Sequence, residues 1–115
     1  MNVSFVLQQN TNNEYFFHFL DSNDEIVLFS DTYPDREAAE AAIKDVQTNS
    51  LISQFLAAGK TPNNEMFFVI KDKDGGVLVK SNLYTSNMKF DNALHCVKDN
   101  ACIAETKDLT TSSEA

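Results

Sequence analysis

A chain of 115 residues has the length of one compact domain and buries enough surface to fold without a disulfide or a metal. Its 17 acidic side chains stand against nine Lys and Arg, a formal net charge of −8. That balance excludes the basic surface that DNA, RNA or an anionic membrane requires, and suits a basic protein partner or simple solubility.

In chain order, Val3 to Gln8 alternates Val3, Phe5 and Leu7 and predicts a strand. Asn10-Thr11-Asn12-Asn13 is turn chemistry, and Tyr15 to Leu20 is an aromatic strand. Asp21-Ser22-Asn23-Asp24 turns the chain back into Ile26-Val27-Leu28-Phe29, a third strand apolar on both faces. The period then changes. Asp35 is a helix cap, and Ala39, Ala42, Ile43 and Val46 form one apolar stripe, leaving Arg36, Glu37, Glu40 and Lys44 to water. Asn49 is expected to end the helix in the left-handed conformation. Leu51 to Ala57 is read as extended, and Gly59 to Asn64 as a loop. Strands follow at Met66 to Ile70 and Val77 to Val79, joined through Asp74-Gly75-Gly76. Ser86 caps a second helix whose stripe is Phe90, Ala93, Leu94 and Val97, and Asn100 ends it. Ile103 begins a last extended piece, and Thr110 to Ala115 is a polar tail expected to fray.

The second half repeats the first at an offset of 51 residues. Glu14-x-Phe16-Phe17 matches Glu65-x-Phe67-Phe68; Asp21 matches Asp72, Ser30 matches Ser81, Tyr33 matches Tyr84 and Asn49 matches Asn100. Ala42 with Val46 and Ala93 with Val97 keep the helix stripe in register, and Ile52 matches Ile103. One unit, with a single helix over a small sheet, has a thin core. Two units sharing a continuous sheet solve this. The expected domain spans 1–109, with repeat one about 1–53 and repeat two about 54–109.

These motifs carry a family resemblance. The aromatic strand Tyr15-Phe16-Phe17-His18-Phe19, then Ser30, Tyr33, Ala42-Ile43-Lys44-Asp45-Val46 and Asn49, resembles the repeat of the YegP-like family, the domain of unknown function 1508. Met66-Phe67-Phe68-Val69-Ile70, Asp74-Gly75-Gly76, Ser81, Tyr84, Ala93 to Val97 and Asn100 give it a second time, and Lys107-Asp108-Leu109-Thr110 is similar to the family's end. The resemblance implies an α+β fold. Tandem β3-α-β repeats would form one mainly antiparallel sheet with two helices on one face and the C-terminal strands exchanged between repeats. It implies no activity. The chain departs from the pattern in having Ala for the helix Gly in both copies and Asp24 for a turn Gly. It departs again in the second strand, where the family alternates in Arg or Lys.

There Tyr15, Phe17 and Phe19 are expected to face the helices, which turns Phe16, His18 and Leu20 to the outer face, with Phe67 and Val69 in the second copy. Val6, with Val27 or Phe29, adjoins them. An apolar patch where a sheet ought to be solvated marks an interface, so Phe16, His18, Leu20, Phe67 and Val69 are the candidate protein-binding residues. The expectation is a non-enzymatic protein-binding domain, in the cytoplasm, with a basic partner or a second copy and no cofactor. Two other readings stand beside it. One is an acidic inhibitor of a nucleic-acid-binding enzyme, of the phage counter-defence type; the other is a small-molecule binder with a cleft near Tyr33, Tyr84 and His95.

Catalytic and metal signatures are absent from the sequence. Asp72-x-Asp74-Gly75 lacks the remaining ligands of a calcium loop, and a hairpin turn explains both it and Asp21. His95 and Cys96 are helix neighbours that point apart. Cys96 and Cys102 have no counterparts in the first copy, where Asp45 and Leu51 stand, and free thiols are expected. Met1-Asn2-Val3-Ser4 does not open a secretory signal, and no apolar run approaches the roughly 20 residues that span a bilayer.

Overall fold

Three strands open the chain, β1 (Ser4–Gln9), β2 (Tyr15–Leu20) and β3 (Ile26–Ser30), followed by helix α1 (Arg36–Asn49). Then β4 (Leu56–Lys60), β5 (Met66–Lys71), β6 (Val77–Ser81) and α2 (Asn87–Asn100) repeat that order, and β7 (Glu105–Asp108) ends it. The structure, a computed structural model, describes residues 3–110. All seven strands form one sheet in the order β4-β5-β6-β3-β2-β1-β7. Every pairing is antiparallel except that of β1 with β7, which is parallel. This is the expected α+β architecture, with the exchange of strands included. β4 leaves the first copy to pair with β5, and β7 leaves the second to pair with β1.

The register adds what the sequence pattern did not reveal. Leu56 faces Ile70 across β4 and β5, as Phe5 faces Phe19 across β1 and β2, both 51 positions earlier. β4 is therefore at once the last strand of copy one and the first strand of copy two. It also begins later and ends later than expected. Ser53–Phe55 is a 3-10 turn, whereas Gly59 and Lys60, expected in a loop, belong to the strand. The same correction applies at the end of copy two, where Ala101–Ile103 is a 3-10 turn and β7 starts at Glu105. Thr110, read as the start of a frayed tail, bonds Asp108 and Arg36; the rest of that tail lies outside the described residues.

The core lies between the sheet and the two helices. Phe5, Phe17, Phe19, Leu28, Phe68 and Ile70 from the strands meet Ala39, Ile43 and Val46 of α1 and Ala93 and Val97 of α2. The rings of Phe5 and Phe19 pack 4.9 Å apart. Each of the Phe, Leu, Ile and Val side chains contributes about 1.5–3 kcal/mol by leaving water. Val27 belongs here too, not to the outer face. The pairing shifts between Phe19 and Leu20, so Val27 and Leu28 together oppose one residue and both are buried; Leu78 and Val79 do the same opposite Ile70. The bulge explains why β3 reads as apolar on both faces.

Most of the repeated polar residues do the same job in both copies. Ser30 Oγ and Ser81 Oγ accept the backbone N–H of Phe17 and Phe68, at 2.8 and 2.9 Å, and donate to the next carbonyl along their own chain. Tyr33 and Tyr84 exchange backbone bonds with Tyr15 and Met66, extending the ladder past each hairpin. Asp35 and Ser86 cap their helices as expected. Asp21 and Asp72 each accept two turn N–H groups through Oδ1. Arg36, expected to face water, is ion-paired with Asp108 at 3.2 Å.

The two hairpin turns offer a clean stability comparison. Gly75 sits at φ +88° with open space where a Cβ would be, and its counterpart Asp24 sits at φ +62°. Backbone strain alone is at issue. Gly75→Ala is expected to lose about 1 kcal/mol, while Gly75→Asp should lose less, because Asp tolerates the left-handed region better. Urea denaturation of the two variants checks the order.

Candidate functional site

With both helices on one side of the sheet, the other side is left uncovered among the described residues. Successive pairings lay one row straight across it: Lys107, Val6, His18, Phe29, Lys80, Val69 and Ala57, one from each strand. Phe16, Leu20, Phe67 and Lys71 flank that row. Phe29 is its middle residue, and His18 lies next to it. The ring contacts converge on His18. Its ring meets Phe16 and Phe29 edge-on, each at 5.4 Å. Gln8 Nε2 lies 3.3 Å from His18 Nδ1, within hydrogen-bonding distance.

Of the five expected residues, Phe16, His18, Leu20 and Phe67 are half-buried on this face and offer part of their surface. Val69 lies on the face but is only 7% exposed, so it supports the patch from below. Phe67 lies flat over Gly59; a Cβ there would come within 2.9 Å of its ring. Phe29, at 37%, is more exposed than Val69 and completes the aromatic cluster. Lys80, the counterpart of Phe29, was legible through the 51-residue offset.

The charges on this face differ from those of the whole chain. β1 to β6 contain no Asp or Glu at all. The outer face carries Lys71, Lys80 and Lys107, and its one strand-borne acid is Glu105. Among the described residues the remaining acids sit in turns and connections, in helices and, for Asp108, against Arg36. A cationic, aromatic centre thus lies inside an acidic rim. The expectation of a basic partner came from total charge; this face by itself carries three lysines and one strand-borne acid.

Burial pushes the His18 imidazole down from its ordinary value. A histidine whose folded value is depressed takes up protons more readily when unfolded. Stability is therefore complete above about pH 6.5 and declines as the pH falls through the interval between the unfolded and folded values. His18→Gln should flatten that part of a melting-temperature profile between neutral and mildly acid pH.

Elsewhere the chemistry is quiet. A groove of about 280 Å³ is lined by Asp21, Glu25, Asn82, Tyr84, Lys89 and Cys96, among others. Burial, and then the charge of Asp21, raise both the Tyr84 phenol and the Cys96 thiol, which keeps each protonated at neutral pH. Cys102 is exposed and free. His95 is exposed and lines no part of this groove, and Tyr33 does not reach it. Among the described residues no three His, Cys, Asp or Glu side chains group as metal ligands. Nor is any helix among the described residues long and apolar enough to cross a membrane.

Comparison with known proteins agrees with this architecture. The model of the domain of unknown function DUF1508 matches twice, over residues 10–54 and 62–108. The chain is 34% identical to the UPF0339 protein YegP of Yersinia pestis over 99 residues, covering 86% of this chain and 88% of that one. It is 30% identical over 104 residues to a UPF0339 protein of Shewanella oneidensis, covering 90% and 94%. The solution structure of a Shewanella oneidensis UPF0339 protein superposes with a TM-score of 0.91 at 28% identity, over 99% of this chain and 97% of that one. That of YegP from E. coli superposes at 0.87 with 24% identity, over 96% and 95%, and shows the shared fold. The two matched segments, each ending within the last strand or turn of a repeat, place the chain in the DUF1508 family.

Proposed function

We propose that the protein is a non-enzymatic binding domain that docks another protein on its uncovered sheet face. The observation that carries this reading is the aromatic cluster of Phe16, His18 and Phe29, with Phe67 on the same face two strands beyond Phe29, set among Lys71, Lys80 and Lys107 in a chain of net charge −8. Aromatic side chains held edge to face are rigid anchors that lose little entropy on binding. Lysines between them select a partner whose apolar ridge is fringed with Asp or Glu, and the acidic rim turns away other surfaces.

The test is affinity capture with wild type and with Phe16→Glu combined with Phe67→Glu, at low and high salt. The captured protein is then purified and its footprint mapped by hydrogen exchange. Loss of that protein from the double variant, with a footprint on β2, β3 and β6, supports the reading. Equal recovery by a folded double variant removes it. Recovery that collapses in salt yet ignores the double variant instead favours an acidic surface acting as an inhibitor of a nucleic-acid-binding enzyme.

A further inference from the structure

The internal repeat contains an asymmetry at the edges of the sheet. β1 and β4 are equivalent strands, each antiparallel to the next in its copy. The far side of β1 is occupied by β7, in parallel register with Ser4 opposite Glu105 and Leu7 opposite Asp108. Among the described residues no strand pairs with the far side of β4. The first copy therefore displays what fits an edge that the second copy leaves open.

The direction of the backbone groups at that edge follows from neighbouring bonds. Phe68 N–H is turned to Ser81 Oγ on β6, so its opposite residue, Ala58, is a non-hydrogen-bonded pair and turns its own N–H and C=O outward. Leu56 and Lys60 share that phase. In copy one the residue equivalent to Ala58 is Leu7, and its carbonyl accepts the N–H of Leu109 at 2.8 Å. The two edges also differ chemically. β7 presents Glu105, Lys107 and Asp108, the alternating charge with which proteins blunt an edge, whereas Leu56-Ala57-Ala58-Gly59 has neither charge nor proline.

The template specifies one side chain. Asp108 of β7 is ion-paired with Arg36, the first residue of α1, at 3.2 Å. The equivalent first residue of α2 is Asn87, in a first turn that contains Lys89 and no acid, where α1 has Glu37. A carboxylate in the position of Asp108 would thus approach the amide of Asn87 and the positive end of α2, with Lys60 further along β4.

We propose that the open edge of β4 takes up an extended segment of another protein as a parallel eighth strand, in the way that β1 holds β7, with an acidic residue at its fourth position. Main-chain bonds to Ala58 and its neighbours supply the attachment, and the carboxylate at α2 sets the register. The site is the backbone edge of β4, away from the cluster on β2 and β3, and substitution of Phe16 alone leaves it in place.

The probe is a capped synthetic peptide of the β7 sequence, Ala-Glu-Thr-Lys-Asp-Leu-Thr, titrated into the full chain and followed by amide chemical shifts. Shifts at Leu56–Lys60 and in the first turn of α2 are expected. Ala58→Pro removes an outward N–H without removing a bond to β5, and should weaken binding about tenfold. Asn87→Arg rebuilds the Arg36 arrangement and should tighten binding several-fold. It lies outside the strand and keeps the test decisive if Ala58→Pro fails to fold. Shifts confined to β1 and Arg36, where the peptide would have displaced β7, overturn the proposal. So does the absence of shifts at millimolar peptide. Peptide-independent shifts at β4 that grow with protein concentration overturn it in favour of antiparallel pairing with a second copy.

Discussion

Replacing Phe17 with alanine is expected to cost about 3–5 kcal/mol of folding stability, a large part of the roughly 5–15 kcal/mol that holds a domain of this size. Phe17 is fully buried, packs edge-on against Phe5 at 6.0 Å and stacks over Tyr33 at 6.3 Å. Its loss opens a cavity under α1 that rigid strand backbones cannot close. Phe68, its counterpart in copy two, is 1% exposed and meets Phe90 at 5.9 Å, so Phe68→Ala should behave alike. The adjacent Phe16→Ala and Phe67→Ala provide the control. Each removes a half-exposed ring from the outer face and should cost only about 1 kcal/mol. Equilibrium unfolding in urea separates the two pairs. A Phe16→Ala variant as damaged as Phe17→Ala would mean that the faces of β2 are reversed.

The second large effect comes from a residue repeated in sequence but not in role. Asn49, 9% exposed, donates from Nδ2 to the carbonyl of Lys71 at 2.8 Å and so ties the end of α1 to the end of β5 in the other copy. Asn100 donates instead to Cys96 of its own helix at 3.0 Å. Asn49→Ala leaves a carbonyl between the copies without that donor and should cost about 1–3 kcal/mol. Asn100→Ala leaves its helix carbonyl with a backbone partner and should cost appreciably less. Equal losses in thermal unfolding would show that the bridge between copies carries no special weight.

That pair also shows where sequence reasoning succeeds and where it stops. The exchange of strands came from the family resemblance, whereas the 51-residue offset, with stripe, cap and turn as local patterns, was sufficient to place both helices and their caps. It marked Asn49 as significant but suggested the wrong cause. Neither Asn49 nor Asn100 has positive φ, and α1 ends on Ser50 in a right-handed conformation. The acceptor of Asn49 lies 22 residues away on another element, beyond the reach of any local rule. The bulges were hidden likewise, since an unbroken apolar run gives no sign of where two neighbours turn to the same side. For the candidate site, alternation along β2 correctly turned Phe16, His18 and Leu20 outward. What alternation could not supply was lateral order. Only pairing across strands brings Phe29 to His18 and Lys80 to Phe29.

The parallel seam between β1 and β7 has a mechanical consequence. The two strands lie side by side and point the same way, and one leads in from the start of the described chain while the other leads out at its end. Tension applied through Ser4 and Asp108 therefore pulls neighbouring strands in opposite directions along their length. The bonds across the seam are loaded together in shear and must break at once. The antiparallel hairpins behind it are shielded until the seam gives way. Stretched by its ends, this small domain should yield at one high force rather than unravel strand by strand.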